Sequence, residues 1–131
     1  MHSSSGPREV LSRIYGSGVA LRNRLFDAGV LRSRSVPAVV VSVGNIEAGG
    51  TGKTPFVMAL AKVMKARGTG VCIVTRGYKG RLSGPVVVSG THGVDDVGDE
   101  AVLMARSLDV PVIKSPDRLR GALYACAHLG A

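Results

Sequence analysis

The chain predicts an α/β fold in which a mostly parallel sheet is flanked by helices and preceded by an N-terminal amphipathic helix. Three observations support this prediction: four short runs of β-branched residues, helical patterns that alternate with them, and a glycine-rich loop after the first run. The 131 residues, 45% of them apolar and 20% charged, have the size and composition of one globular domain. Such alternation brings right-handed crossovers and a ligand crevice at the carboxyl ends of the strands.

The first 35 residues form a basic amphipathic unit that precedes an α/β domain at 36–131. Apolar side chains recur at three- and four-residue steps from position 10 to position 25 and predict a helix, although Gly16 and Gly18 weaken it. Residues 8–34 hold six arginines and two acidic residues, so their net charge is +4, half of the chain's +8. This pattern suits docking on an anionic membrane, but it also fits a helix with a solvated basic face.

The remaining elements follow in order along 36–131. Pro37 ends the first unit, and the run at 38–43 predicts a strand buried on both faces. A helix is predicted from Lys53 to Arg67, where Gly68 ends it. The elements predicted after it are strands at 71–75 and 86–88, a helix at 99–108, a strand at 110–113 and a helix at 116–129.

The loop between the first strand and this helix, Gly49-Gly50-Thr51-Gly52-Lys53-Thr54, has the pattern of a P-loop. Its N–H groups and the helix N-terminus attract phosphate, Lys53 reaches the β- and γ-phosphates, and Thr54 offers a hydroxyl to Mg²⁺. Glu47 stands where the usual pattern has glycine, and the alternative is a glycine-rich turn that merely leads into a helix. The residues predicted to bind a nucleoside triphosphate are Ala48, Gly49, Gly50, Thr51, Gly52, Lys53 and Thr54.

Four carboxylates stand close together before a predicted helix, in Asp95-Asp96-Val97-Gly98-Asp99-Glu100. As a structural feature, Asp95 or Asp96 would cap that helix, and the acidic residues would favour its dipole. As a functional feature, Asp99 or Glu100 would orient an attacking hydroxyl or hold Mg²⁺. The residues alone leave both interpretations open.

Two basic segments follow the second and fourth strands, where the loops of a parallel sheet line the ligand crevice. Arg76, Lys79 and Arg81 lie in the first segment, and Lys114 and Arg118 lie in the second. Each segment could bind phosphate groups or form an exposed basic turn.

Composition disfavours several classes of function. Nucleic-acid binding ranks last despite the positive charge, because aromatic residues make up only 4% and no nucleic-acid module is recognisable. The two cysteines, Cys72 and Cys126, lack a metal-binding spacing and are typical of a reduced, cytosolic chain. No apolar run is long enough to span a bilayer. No strand-like run ends in the Asp that completes the Mg²⁺ site of P-loop enzymes, so we expect an N-terminal fragment.

Taken together, these segments resemble the tetraacyldisaccharide 4′-kinases, the lipid A 4′-kinases of Gram-negative bacteria. The resemblance rests on Ser42-Val43-Gly44-Asn45-Ile46 before the glycine loop, and on Arg76-Gly77-Tyr78 with Gly80, Val97-Gly98-Asp99-Glu100 and Ser115-Pro116-Asp117-Arg118. It covers about residues 8–131 and accommodates the residue other than glycine at position 47. Family members also have an Asp-Asp-Gly-Phe-Gln-His-like motif and a C-terminal domain, which this sequence lacks, and Lys79 replaces a frequent glycine.

The resemblance implies an ATP-dependent kinase that phosphorylates the 4′-hydroxyl of a tetraacylated glucosamine disaccharide 1-phosphate, the lipid A precursor. The alternatives are another Gly-Gly P-loop NTPase, such as a metallochaperone or a partitioning ATPase, and a non-catalytic membrane-associated ATP-binding module. The implied location is the cytoplasmic face of the bacterial inner membrane, where the N-terminal helix docks on the anionic surface. No protein partner is inferred.

The resemblance also implies roles for individual residues. Lys53 and Thr54 are expected to hold ATP and Mg²⁺, with Lys53 taking part in catalysis. Asp99 is the expected catalytic base, and Glu100 supports it. The residues expected to bind the substrate are Arg76, Tyr78 and Arg118.

Overall fold

A computed structural model describes residues 7–44 and 52–131 of the chain. The chain divides into two compact units, Met1–Ser35 and Val36–Ala131. Four residues of the predicted phosphate loop, Ala48, Gly49, Gly50 and Thr51, lie outside the described residues.

The first unit contains one long helix, α1 (Pro7–Asp27), which confirms the helical prediction but ends earlier than the basic segment does. The helix stops because Gly29 adopts a left-handed φ of +70° and the Leu31 N–H folds back to donate to the Leu25 carbonyl at 2.9 Å. Several apolar side chains of α1 are exposed: Ile14, Tyr15, Val19 and Leu21. In the described part of the chain, no helix has both the length and the apolar character needed to cross a membrane.

The second unit is built from a small sheet and the helices around it. Its described helices are α2 (Lys53–Ala66), α3 (Val94–Val97), α4 (Asp99–Ser107) and α5 (Arg118–His128), and its strands are β1 (Ile73–Thr75), β2 (Val86–Val87) and β3 (Val112–Lys114). The predicted helices at 53–67, 99–108 and 116–129 are confirmed to within two residues at each end. The one-turn helix α3 was not predicted.

The sheet has the strand order β1-β3-β2 and is mixed rather than mostly parallel. β1 and β3 are parallel, with Thr75 opposite Lys114, whereas β2 is antiparallel to β3, with Val86 opposite the same Lys114. The connection from β1 to β2 contains no helix, so the chain turns back directly instead of crossing over to run parallel. The link from β1 to β3 is long and includes α3 and α4, which permits parallel pairing.

The strand predicted at 38–43 does not form, and its expected burial is wrong as well. Val39, Val40 and Val41 are exposed by 92%, 67% and 58%. The run lines a cavity of about 430 Å³ together with residues of β1, among them Ile73 and Val74. A β-branched run becomes a strand only when a neighbouring backbone accepts and donates hydrogen bonds, and here the cavity separates it from β1.

The core of the second unit joins α2 and α4. Val97, Ala101 and Ile113 are fully enclosed, and Ala61 of α2 belongs to the same core cluster as Ala101. Short side chains at Ala61 and Ala101 let the two helices approach the same apolar centre. This packing holds the helices side by side and fixes the relation between their N-termini.

Both cysteines of the second unit are free thiols. Cys72 lies just before β1 and Cys126 lies in α5, and the two line a common cavity of about 200 Å³. Burial, followed by the proximity of Cys126, raises the pKa of the Cys72 thiol to about 11. The thiolate of Cys72 is therefore scarce near neutral pH, as expected of a packing residue rather than a nucleophile.

Candidate functional site

Two helix N-termini meet where the sequence placed two separate motifs. The Thr54 hydroxyl, in the first turn of α2, donates a hydrogen bond to Oε1 of Glu100, in the first turn of α4, at 3.0 Å. Forty-six residues of sequence separate the two partners. Helix N-termini present unpaired N–H groups and partial positive charge. The contact therefore places the carboxylates of Asp99 and Glu100 beside the N-terminus of α2, whose N–H groups attract anions.

Left-handed glycines precede both helices and set their starting points. Gly52 has φ +78° directly before Lys53, and, apart from its neighbours in the chain, none of the residues that the structure describes lies within 4 Å of where its Cβ would stand. Gly98 has φ +92° directly before Asp99. Lys53 is half-buried and begins α2, and Thr54 follows it in the same helical turn. Both residues belong to the predicted phosphate loop. A backbone of this kind, with open space at Gly52, suits close approach by a phosphate.

Asp99 is exposed at the start of α4. Its Oδ1 accepts a hydrogen bond from the N–H of Glu100 at 2.8 Å, which holds the carboxylate against the helix end. Glu100, the next residue in the chain, is hydrogen-bonded to Thr54 at the described end of the predicted phosphate loop. Asp99 is therefore the sequence neighbour of a residue that contacts that loop. An exposed carboxylate held beside a phosphate site is suitably placed to accept a proton.

Asp95 and Asp96 do not cap this helix, which corrects the structural alternative drawn from the sequence. They belong to α3, and Gly98, which has no side chain to cap with, stands between them and α4. Asp96 Oδ2 accepts from the Gly93 N–H at 3.0 Å, and Asp96 Oδ1 lies 2.7 Å from the Arg81 guanidinium. The Gly93 N–H first, and then Arg81, lower the pKa of the Asp96 carboxyl below its usual value.

The segment after β1 forms a tight turn that packs against the start of α4. The Gly80 N–H donates to the Gly77 carbonyl at 3.0 Å, and Gly77 has φ +66°. A Cβ on Gly98 would lie 2.6 Å from the Tyr78 carbonyl oxygen, so only glycine permits this contact. The side chains of Arg76 and Tyr78 are exposed on this turn. The structure thus brings two predicted substrate-binding residues next to the acidic helix start.

Arg118 is placed differently from the other predicted site residues. It is exposed as the first residue of α5, after Asp117, whose Oδ1 accepts from the N–H groups of Leu119 and Arg120. It lines the cavity of about 200 Å³ beside residues of the 36–42 run. Among the described residues, no hydrogen bond or ion pair joins Arg118 to Asp99 or to Glu100.

Lys114 is the residue that sequence reasoning placed wrongly. The basic segment after the fourth strand was expected to meet phosphate or to form an exposed turn, but Lys114 is the last residue of β3 and only 2% exposed. Its Nζ donates to the Gly80 carbonyl at 3.3 Å. The glycine at position 77, where a Cβ would collide with the Lys114 side chain, was the signal that this side chain passes beneath the turn.

Metal-binding capacity at this site rests on isolated groups rather than on a cluster. Within the two described stretches, no three His, Cys, Asp or Glu side chains come together to hold an ion. The oxygens available beside the helix starts are the Thr54 hydroxyl and the carboxylates of Asp99 and Glu100. Hydroxyl and carboxylate oxygens are the ligands that Mg²⁺ takes alongside nucleotide phosphates.

Comparison with known proteins identifies relatives along almost the whole chain. The family model described as tetraacyldisaccharide-1-P 4′-kinase matches residues 9–131. The tetraacyldisaccharide 4′-kinase of Aquifex aeolicus is 42% identical over 123 residues, which are 90% of this chain and 38% of that protein. The tetraacyldisaccharide 4′-kinase of Bradyrhizobium diazoefficiens is 46% identical over 118 residues, which are 88% of this chain and 32% of that protein.

A solved structure is similar as well. LpxK from Aquifex aeolicus, crystallised in complex with ATP, matches with a TM-score of 0.79 and 41% identity, covering 92% of this chain and 39% of that one. The chain thus spans between 32% and 39% of the length of these relatives. The family match includes the glycine loop, the acidic helix start and both segments that follow β1 and β3. The chain therefore belongs to the tetraacyldisaccharide-1-P 4′-kinase family.

Proposed function

We propose that the protein transfers the γ-phosphate of ATP to the 4′-hydroxyl of a tetraacylated glucosamine disaccharide 1-phosphate, a step of lipid A biosynthesis. The observation that carries this proposal is the hydrogen bond from Thr54 to Glu100, which joins the phosphate-loop helix to the acidic helix. Family membership supports the choice of substrate, and the ATP complex of the Aquifex aeolicus relative supports the choice of nucleotide.

We also propose that residues 36–131 form a nucleotide-binding domain of the P-loop class. The loop from Ala48 to Thr54 would surround the triphosphate, with its N–H groups directed at the phosphate oxygens. The ammonium of Lys53 would offset the charge that builds on the transferred phosphoryl group. The Thr54 hydroxyl would help to hold Mg²⁺, which would supply neutralisation of the phosphate charge when bound.

The acidic pair would divide two tasks between neighbouring carboxylates. Asp99, exposed and held by the Glu100 N–H, accepts the proton of the sugar hydroxyl as that oxygen attacks the γ-phosphorus and the bond to the bridging oxygen breaks, which releases ADP. Glu100 keeps the two helix starts together through Thr54, so that the base and the phosphates stay in register. A free hydroxyl is a weak nucleophile, and a positioned carboxylate lowers the barrier by taking its proton during transfer.

The acceptor would be held by the basic residues at the carboxyl ends of β1 and β3. Arg76 and Tyr78 are exposed on the turn that packs against Gly98, next to Asp99. An arginine can pair with the anionic 1-phosphate through two parallel hydrogen bonds, and a tyrosine ring can cover one face of a sugar. We assign Arg118, which stands apart from the acidic pair, to a more distant part of the same acceptor.

Phosphate transfer tests the proposed function directly. ATP labelled at the γ-position is incubated with the protein as its gene encodes it, Mg²⁺ and the tetraacylated disaccharide 1-phosphate. We expect label in the lipid product, and none when the 4′-hydroxyl of the acceptor is blocked. Label that appears only as inorganic phosphate, with or without the lipid, would show a nucleotide hydrolase instead of a kinase.

We further propose that the first unit docks on the anionic inner membrane at its cytoplasmic face. Residues 8–34 hold a net charge of +4, and four apolar side chains of α1 are exposed along the same helix. Arg22 also lies over the Phe26 ring, 4.8 Å from its centroid, so cation and apolar surface adjoin. A helix of this composition binds the interface by burying apolar surface while its arginines pair with lipid phosphates.

Changing Arg22 and Arg24 to Glu together should reduce co-sedimentation with anionic phosphatidylglycerol vesicles by about tenfold or more. Each basic residue near the surface is worth roughly 1 kcal/mol, and four charge units change in this variant. The matched control changes Lys62 and Arg106, both exposed in the second unit, to Glu. Binding should also weaken with added salt. Equal losses in both variants, or no binding by the unaltered protein, would refute docking through α1.

A further inference from the structure

We infer that Lys114 is a positioning residue: its buried ammonium holds the turn 76–80, and thereby the acceptor-binding side chains, against the acidic helix start. This inference deepens the proposed function and depends on it for its kinetic consequences. The first observation is burial, since Lys114 is 2% exposed although it ends a strand at the edge of the candidate site. Lysine is among the residues that are least often buried in folded proteins.

The Lys114 side chain passes directly beneath the turn. Its Cγ and Cε stand 2.3 and 2.7 Å from the position that a Cβ on Gly77 would occupy, so a side chain at residue 77 would collide with it. At its far end, Nζ donates to the carbonyl of Gly80 at 3.3 Å. One side chain therefore contacts the turn near both its first and its last glycine, from the side of the sheet.

The turn also packs against the segment that leads into α4, since the same Cβ on Gly77 would lie 2.5 Å from the Val97 carbonyl oxygen. A Cβ on Gly80 would lie 2.6 Å from the carbonyl carbon of Val97, and a Cβ on Gly98 would lie 2.6 Å from the Tyr78 carbonyl oxygen. Beyond the turn, the Leu82 N–H donates to the Asp96 carbonyl at 3.0 Å. The turn is thus held between Lys114 below and residues 96–98 beside it, one residue before Asp99.

The chemistry of the contact favours a role beyond packing. An unbranched apolar side chain would fill the slot beneath Gly77 without the free-energy cost of burying a cation. Among the described residues, the Gly80 carbonyl is the one hydrogen-bond acceptor that Nζ has, and it is a neutral group. A buried ammonium with a neutral partner contributes little net stability, but it fixes the carbonyl that it bonds. Loss of that bond should free the turn without unfolding the domain.

The test uses the variant Lys114→Met in the protein as its gene encodes it. Methionine removes the ammonium but keeps an unbranched apolar side chain of similar length. We expect a melting temperature equal to or above that of the unaltered protein, because the methionine side chain still packs beneath Gly77. Amide hydrogen exchange at Gly80, Arg81 and Leu82 should accelerate by about tenfold, the factor that corresponds to one hydrogen bond to a charged group. Lys62→Met, which removes one charge from an exposed position of α2, is the matched control and should leave exchange in the turn unchanged.

Steady-state kinetics then separate positioning from mere structure. The KM for the disaccharide 1-phosphate should rise by about tenfold in Lys114→Met, while the KM for ATP stays within about twofold. The reason is that Lys114 contacts the turn 76–80, which carries the proposed acceptor-binding residues, and not the helix that begins at Lys53. Unchanged exchange in the turn would overturn the inference, and so would faster exchange with an unchanged acceptor KM. If the unaltered protein transfers no phosphate, the proposed function is refuted independently of Lys114. Amide exchange in the turn would then still show whether Lys114 holds residues 76–80 in place.

Discussion

Lys53→Ala is expected to lower the turnover of phosphoryl transfer by about 10²-fold or more, equivalent to roughly 3 kcal/mol of transition-state stabilisation. Lys53 is the first residue of α2, beside a left-handed Gly52 and one position before the Thr54 that bonds Glu100. An alanine there retains the helix start and its N–H groups but removes the full positive charge that the proposed mechanism directs at the transferred phosphoryl group. The helix dipole provides only about half a unit charge at the same place and does not replace it.

The control for this change is Lys62→Ala, which removes the same charge from an exposed position on the same helix. Its turnover should stay close to that of the unaltered protein, because surface substitutions away from a site have small effects. Turnover and thermal melting are measured on both variants. Near-normal turnover in Lys53→Ala, in a protein that transfers phosphate, would refute the P-loop role of this segment.

Asp99→Asn is expected to reduce turnover by about 10²-fold or more, the scale of one general base, and to leave ATP affinity nearly unchanged. The asparagine oxygen can still accept the Glu100 N–H, so the helix start and the contact from Glu100 to Thr54 should remain. In the proposed mechanism, the variant loses the carboxylate that would take the proton of the sugar hydroxyl. ATP affinity should persist because the proposed phosphate contacts, the loop N–H groups and Lys53, are unaltered in this variant.

The competing explanation is that Asp99 only favours the dipole of α4, which is worth about 0.3–1 kcal/mol of stability. Asp95→Asn is the matched control, because Asp95 is an exposed acidic residue in the preceding short helix. Melting temperature, ATP affinity and turnover are measured on both variants. Reduced stability with preserved turnover would leave Asp99 a purely structural role. Reduced ATP affinity that appears only when Mg²⁺ is present would make it a metal ligand.

Local patterns in the sequence were sufficient to predict the motifs and all the described helices except the one-turn α3. The helix from Lys53 forms nearly as predicted, and the periodicity of residues 10 to 25 corresponds to α1. Helical periodicity and glycine stops are properties of consecutive residues, so they can be recognised without knowledge of the fold. The same holds for the glycine loop and the Gly-Asp-Glu sequence, whose combination indicated the family that the comparisons later identified.

Pairing of strands was the part that the sequence predicted poorly. The run at 38–43 contains four valines, yet it remains unpaired beside a cavity, while the two residues of β2 pair with β3. A strand depends on hydrogen bonds from another segment, and composition states only a preference for extended backbone. The direction of β2 depended likewise on whether its connection to β1 contained a helix.

The sequence by itself determined the helices α1, α2, α4 and α5, the P-loop pattern, the candidate carboxylates and the family. Only the tertiary structure decided that Glu100 meets Thr54, that Asp96 belongs to a separate short helix, and that Lys114 is buried beneath the turn. Each of these depends on residues that lie far apart in the chain and are brought together by packing on one apolar core. Burial and partner choice are properties of that packing, and no window of consecutive residues contains them.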